Sequence, residues 1–391
     1  MFYRLKKIKS YLSKIFEIFC NFYHLYFFYK KSINYKKRLI YLPSIEYHYP
    51  LFQRPQYLAE NLVKNKDVFL VYLQASFIYS KKKAIEKIED NFYLSKLWRT
   101  IPYLIKPSWI MLISGQAITT VYDLLRYKKI GQKIIYDYVD EITPEITGDE
   151  KAFEFLKERH NIIKQKRLAD LVLVTAKKLY DEMVSYYPKN KVLLLPNAVD
   201  ADIFNPKNQF KKYPKIVKKI LDLKKPIIGY HGAIAPWLDF NLINNLAKKR
   251  QDLIFIFIGA DYRNGLKNLD RSLKNIFYLG TVNYKEIPFY ANLYDVAIIP
   301  FKKGEIAKKT SPLKLFEYLA LRKMIIVTED LVECYNKPGV YIASNEVSDY
   351  SEKIDLALKN RKNDKILKEI KKFVDRNTWQ ERIKKILKKI S

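Results

Sequence analysis

From residue 38 onward the chain alternates short apolar runs with amphipathic stretches, and that alternation predicts most of the fold. "RLIYLPS", "DVFLVYLQAS", "WIMLISG" and "KIIYDYVDE" are rich in β-branched and aromatic residues and read as strands. Between them "RPQYLAENLVKN" and "QAITTVYDLLRYKKIG" carry apolar residues at helical spacing. "LADLVLVTA", the helix "KKLYDEMVSYY" and the strand "KVLLLPN" complete this half. The stretch "AVDADIFNPKNQFKKYPKIVKK" is polar and loop-like, and marks a linker near 200–215. The alternation restarts with "PIIGYHG", "FNLINNLAKKR", "LIFIFIGAD", "NIFYLGTV", "EIPFYANLY", "DVAIIPF", "SPLKLFEYLALRK", "MIIVTED" and "GVYIAS", and two helices close the chain. Strands that are apolar throughout, separated by helices, predict parallel sheets covered on both faces. Two doubly wound α/β domains in tandem are expected, joined by that linker.

Charge enters next. Lys plus Arg number 72 against 41 acidic residues, a formal charge of +31. Such an excess favours anionic partners, although Lys, Ile, Asn and Tyr are abundant and Gly and Ala scarce, as AT-rich coding produces. The basic residues are spread along the chain instead of forming a stripe in a known module, so no nucleic acid is expected as partner. Cys20 and Cys334 are far apart, and the four histidines are scattered, which gives neither a disulfide framework nor a zinc site. A reducing cytoplasm is the compartment these cysteines suggest. "YLSKIFEIFCNFYHLYFFYKK" near the start is aromatic and apolar, but Lys14, Glu17, Asn21 and His24 interrupt it as a membrane span. No small-residue cleavage site follows, so it does not read as a signal peptide. Flanked by basic residues, it reads as a helix lying on an anionic membrane surface, at the inner face of the cell membrane, or else as a helix packed on the protein's own body.

The chemistry concentrates in "KKGEIAKKTSPLKLFEYLA", residues 302–320. Ser311 reads as an N-cap and Pro312 as the first helical residue, with Leu313 and Lys314 in the first turn. A helix start already carries about half a positive charge, so a lysine there implies an anion. Glu317 shares a helix face with Lys314. Its carboxylate lies in an apolar helix and needs partners, either ribose hydroxyls beside a diphosphate or Lys314 itself. The loop "GYHGAIAPWLDF" is aimed at the same crevice, where Gly229 and Gly232 permit close approach of backbone and Asp239 can cap the next helix. A nucleotide-sugar or a dinucleotide each fits such a site.

These residues carry a resemblance. "LADLVLVTAKKLYDEM…KVLLLPNAVDADIFNP", "IIGYHGAIAPWLDFNLINNLAKKRQDLIFIFIGA", "NIFYLGTVNYKEIPFYANLYDVAIIPF" and "SPLKLFEYLALRKMIIV", in that order, resemble GT-B glycosyltransferases, specifically the family 4-like bacterial enzymes of cell-surface polysaccharide synthesis. "FQRPQYLAENL" and "IIYDYVDE" are similar to one branch of that family. The resemblance implies a GT-B architecture, two Rossmann-like doubly wound domains facing a central cleft, and the basic aromatic helix read from the residues themselves occupies 1–36 ahead of it. The resemblance further implies an acceptor domain at 37–205, a nucleotide-sugar domain at 206–375, and a C-terminal helix at 376–391 returning to the first domain, with Trp379 as anchor. It implies transfer from a nucleotide-diphosphate sugar to a lipid-linked or glycan acceptor, with retention of configuration and without a metal or further cofactor.

By position, the resemblance implies that Glu317 binds the ribose, while Ser311, Pro312, Leu313 and Lys314 hold the diphosphate with Gly232 and Ala233. Many members have a glutamate on the sugar eight residues before Glu317; here that residue is Lys309, with Glu305 nearby as a substitute. The arginine and lysine usual in the loop after the first strand of the second domain are replaced by His231, Ala235 and Trp237. Asp140 is the first candidate for the group that takes the acceptor's proton, with Asp137, Glu141 and His48 also on loops at strand ends. Arg54 and Gln53 are expected to touch acceptor or diphosphate across the cleft, the alternative for Arg54 being a structural salt bridge. "DAD" at 200–202 reads as a turn and not as a metal-binding motif. A nucleotide-sugar epimerase of the same fold stays open as a second enzyme reading.

Overall fold

A computed structural model describes residues 25–49, 51–74 and 84–390. The first half is an eight-stranded sheet, taken here with its ranges: β1 (Lys37–Leu42), β2 (Val68–Leu73), β3 (Ile85–Glu89), β4 (Phe92–Ser95), β5 (Trp109–Ile113), β6 (Lys133–Tyr138), β7 (Leu171–Val174) and β8 (Val192–Leu194). Their order is β3-β4-β2-β1-β5-β6-β7-β8, parallel throughout except for β3, which pairs antiparallel with β4 at the edge. The second half is a six-stranded, wholly parallel sheet of β9 (Ile227–His231), β10 (Ile254–Ile258), β11 (Ile276–Tyr278), β12 (Val296–Ile299), β13 (Met324–Thr328) and β14 (Val340–Ala343), in the order β11-β10-β9-β12-β13-β14.

The central strands are buried on both faces, which is why they read as unbroken apolar runs: every residue of β2 and of β10 is buried. Alternation decides which face each residue serves. Leu39 and Tyr41 enter one core and Ile40 and Leu42 the other. The first of these cores continues without a break into the second half through Tyr57, Phe204 and Trp379.

That continuity is made at the hinge. Helix Arg54–Val63 starts with Gln53 and Gln56 each bonding the other's backbone, and Pro55 sits in its first turn. The last helix, Trp379–Lys389, is capped by Thr378 and packs on helix Arg54–Val63. Trp379 is fully buried and stacks on Tyr57 with ring centroids 5.0 Å apart and planes at 18°. Arg382 ties the same helix to the crossover chain, donating to the carbonyls of Pro196 at 2.9 Å and Asn197 at 3.1 Å.

Residues 1–24 of the expected N-terminal surface helix lie outside the described residues. The helical part at 25–32 packs Phe28 against Phe69 and Tyr93, at 5.3 and 5.1 Å, and leaves Tyr26 and Phe27 more than half exposed. Among the described residues no helix is long and apolar enough to cross a membrane.

Candidate active site

Strand carboxyl ends and helix starts from both halves meet in the cleft. On the second half, helix Leu313–Ala320 follows β12 and the short helix Glu305–Lys309. It begins one residue later than the sequence suggests: Pro312 occupies the cap position with φ −66° and ψ 123°, and Leu313 is the first helical residue. Ser311 does not cap it. Its side chain is buried and turned to the crossover chain, where Asn197 donates Nδ2 to the Ser311 carbonyl at 2.7 Å and its backbone N–H to the Ser311 hydroxyl at 3.4 Å.

Lys314 lies in the first turn and folds back across the glycine loop. A Cβ on Gly232 would stand 2.0 Å from Lys314 Cε, and Gly232 has φ +134°, so only glycine leaves the lysine its path. The Lys314 ammonium stands over the Tyr230 ring at 5.4 Å and has no hydrogen-bond or ion-pair partner among the described residues. Desolvation pulls its pKa below the usual lysine value, while Glu317 and Asp140 act in the opposite direction. Gly259, at φ +144°, packs its backbone directly on Gly232, and a Cβ there would meet the Gly232 oxygen at 1.9 Å. Ala233 accepts from the Tyr230 hydroxyl at 3.0 Å, fixing the ring that faces the ammonium.

Glu317 is buried, and Lys314 is not its partner. Its Oε2 receives His231 Nε2 at 2.9 Å, and its Oε1 receives the Tyr57 hydroxyl at 3.1 Å from the first half. The aromatic chain around this pair continues through Phe52 stacked on Tyr284 at 4.5 Å.

Across the cleft, Asp140 follows β6 and faces Thr310, whose hydroxyl donates to it at 3.4 Å. Its carboxyl is pushed up to about 6, chiefly by desolvation, with Thr310, Arg54 and Lys314 working against that rise and Asp137 adding to it. Next to it Glu141 forms an ion pair with Lys309. Lys309 therefore bridges the two halves at the cleft mouth. Glu305 is more than half exposed and pairs with Lys308 at 3.4 Å, so it is a surface residue of its short helix and does not stand in for the missing glutamate.

Two expectations are corrected. Arg54 is not free to reach a ligand: it is buried, donates Nε and Nη2 to both oxygens of fully buried Asp137 at 2.9–3.2 Å, and gives Nη1 to Leu195 O and Asn197 Oδ1. A buried carboxylate needs such a fork, and helix Arg54–Val63 supplies it to Asp137 of β6. His48 is not beside Asp140. It lies 3.7 Å from Glu86 of edge strand β3, and β6 stands four places further along the sheet order than β4. Asp200 accepts the backbone N–H groups of Asp202 at 3.1 Å and Ile203 at 3.3 Å, so "DAD" is a turn. Asp239 caps helix Phe240–Lys249 by accepting from Leu242 N at 3.0 Å.

Sequence reasoning missed Tyr57, Tyr284, Thr310 and Gly259. Tyr57 sits one helical turn after Arg54 and Gly259 directly follows a strand, and those were the only local signals they carried.

Two parallel-sheet Rossmann-like domains with such a cleft define the GT-B architecture. Residues 213–373 match the family model "Glycosyl transferases group 1". The chain is 30% identical over 221 residues to the putative teichuronic acid biosynthesis glycosyltransferase TuaH of Bacillus subtilis (strain 168), a match covering 54% of each protein. It thus aligns with about half the length of that curated relative. Among solved structures, sucrose-phosphate synthase from Thermosynechococcus elongatus superposes with TM-score 0.68 at 10% identity, over 90% of this chain and 98% of that one. Anabaena HepE in complex with UDP and glucose gives 0.60 at 12% identity, over 90% and 99%. At those identities the likeness is one of fold.

Proposed function

We propose that the chain is a glycosyltransferase that moves a sugar from a nucleotide-diphosphate sugar to a lipid-linked or polysaccharide acceptor in cell-surface glycan synthesis. The observation that carries this reading is Lys314: a desolvated ammonium without an ion-pair partner among the described residues, laid over Gly232 at a helix start and facing Asp140. A pyrophosphate supplies the charge that this arrangement calls for. In the reaction the bond from the anomeric carbon to the diphosphate oxygen breaks and its electron pair leaves with the diphosphate. Lys314 and the helix dipole stabilise that charge as it develops. The acceptor oxygen bonds the anomeric carbon and its proton passes to Asp140, whose carboxyl near 6 suits a base at neutral pH.

Retention of configuration and independence from metal follow from the family resemblance and belong to this proposal. The name of the Bacillus subtilis relative supports a surface polymer as the product. The basic, aromatic start of the chain, with Tyr26 and Phe27 exposed where the described part begins, supports attachment at the inner face of the cell membrane.

The test is calorimetric titration of UDP, GDP, ADP and CDP into wild type and Glu317→Ala. One nucleotide should bind wild type and lose affinity in the variant; no binding by any, or equal affinity in both, contradicts the reading. Sugar nucleotide altered in the absence of acceptor would point to an epimerase instead.

A further inference from the structure

Tyr57 reaches Glu317 from the other half of the molecule, and its surroundings leave it little freedom except at the hydroxyl. The ring is buried, stacked on Trp379, and edge-on to Phe52 at 4.8 Å and to Tyr284 at 5.5 Å. Packing on three sides fixes the ring plane, while the O–H can still rotate about its C–O bond. It donates to Glu317 Oε1 at 3.1 Å. The other carboxylate oxygen takes His231 Nε2 at 2.9 Å, a contact that assigns the imidazole proton to Nε2 and leaves Nδ1 buried with no partner. The Tyr284 hydroxyl is also buried without a partner, beside Tyr57. Tyr57 is therefore a donor with two acceptors beside it: the carboxylate, which it bonds, and the Tyr284 oxygen, which interacts with it electrostatically without completing a hydrogen bond.

A phenol and a ribose hydroxyl are the same kind of donor to a carboxylate. We propose that Tyr57 holds the ribose's place: its hydroxyl takes the acceptor position on Glu317 for which a ribose hydroxyl of a nucleoside diphosphate competes, and on binding it turns to Tyr284. The inference rests on the reading of Glu317 as the ribose site. It makes donor binding break a bond between the halves, because Tyr57 belongs to helix Arg54–Val63 and Glu317 to helix Leu313–Ala320.

Tyr57→Phe keeps the ring, the stack on Trp379 and the core volume, and removes only the competing donor. The test measures, by calorimetry, the nucleoside diphosphate selected from the UDP, GDP, ADP and CDP panel, together with its 2′,3′-dideoxy form. Removing one competing hydrogen bond should tighten binding of the ribo form by about three- to tenfold. The dideoxy form has no hydroxyl to profit and should bind both proteins equally. Unchanged or weaker binding of the ribo form by Tyr57→Phe overturns the proposal, as does equal tightening of both forms. Glu317→Gln separates the two levels. If it keeps the preference for ribo over dideoxy, Glu317 is not the ribose site. If it loses that preference and Tyr57→Phe still fails to tighten binding, the ribose site stands and the competition alone is wrong.

Discussion

Replacing Lys314 by methionine should move stability and affinity in opposite directions. The chain length is kept and the charge is lost. The Tyr230 face, at 5.4 Å, and the charges of Glu317 and Asp140 favour the ammonium, but desolvation outweighs them and its pKa is lowered. That cation–π contact contributes about 0.5–1 kcal/mol. Relief of the desolvation offsets or exceeds it, so the methionine variant should match wild type in urea or gain up to about 1 kcal/mol. Affinity goes the other way. A charge-assisted hydrogen bond to a pyrophosphate contributes about 1.5–3 kcal/mol, so the dissociation constant should rise about 10- to 150-fold.

The proton linkage adds a second signature. The folded pKa of Lys314 lies below the unfolded value, so the unfolded state binds more protons between the two, and this residue's contribution to stability rises with pH through that window. A bound pyrophosphate pulls the pKa up again, so nucleotide binding takes up protons and weakens as pH climbs past the folded pKa. Both slopes should vanish in Lys314→Met. Equal affinity in variant and wild type, or a stability loss above about 2 kcal/mol, would mean that the lysine is structural and that the reasoning fails.

Asp140→Asn should lower turnover by about 10²- to 10⁴-fold, and wild-type turnover should rise with pH through about 6; a flat profile there excludes Asp140 as base. Gly232→Ala should cost about 1–3 kcal/mol of stability because of its φ of +134°, and should weaken nucleotide binding by expelling the Lys314 side chain; unchanged binding contradicts the close packing. Arg54→Ala strands Asp137 without its fork and should destabilise the protein by about 3–5 kcal/mol in urea, and a variant of native stability would reopen Arg54 as a ligand contact.

The sequence made the two sheets plain because their strands are buried on both faces, and "IFIFI" or "VFLVYL" admits few other readings. The edge was less visible. Strand β3, "IEKIE", is polar and half exposed, so its alternation is weak, and the pattern reading passes over it. It also passes over helix Glu150–Gln165, although Asp149 caps it and Leu156, His160 and Ile163 line its buried face. "PKIVKK" lies in a stretch that reads as loop, yet Lys215–Leu221 is a helix that buries only Val217 and Ile220.

At the candidate site, Lys314 and Gly232 were legible because a cation at a helix start and a glycine after a strand each break a local rule. The partners of Glu317 were not legible, since Tyr57 is 260 residues away in the chain and nothing local links them. Arg54 and His48 illustrate the reverse. A basic side chain at a helix start or on a loop suggests chemistry, but β6 places the Asp137 carboxylate beside Arg54, and β3 brings Glu86 to His48.

A crystal structure of the protein with its nucleoside diphosphate bears most directly on the central claim. The account predicts pyrophosphate oxygens about 3 Å from Lys314 Nζ and from the first N–H groups of helix Leu313–Ala320, above Gly232. A nucleotide bound elsewhere, with Lys314 still resting on Tyr230 alone, would contradict it.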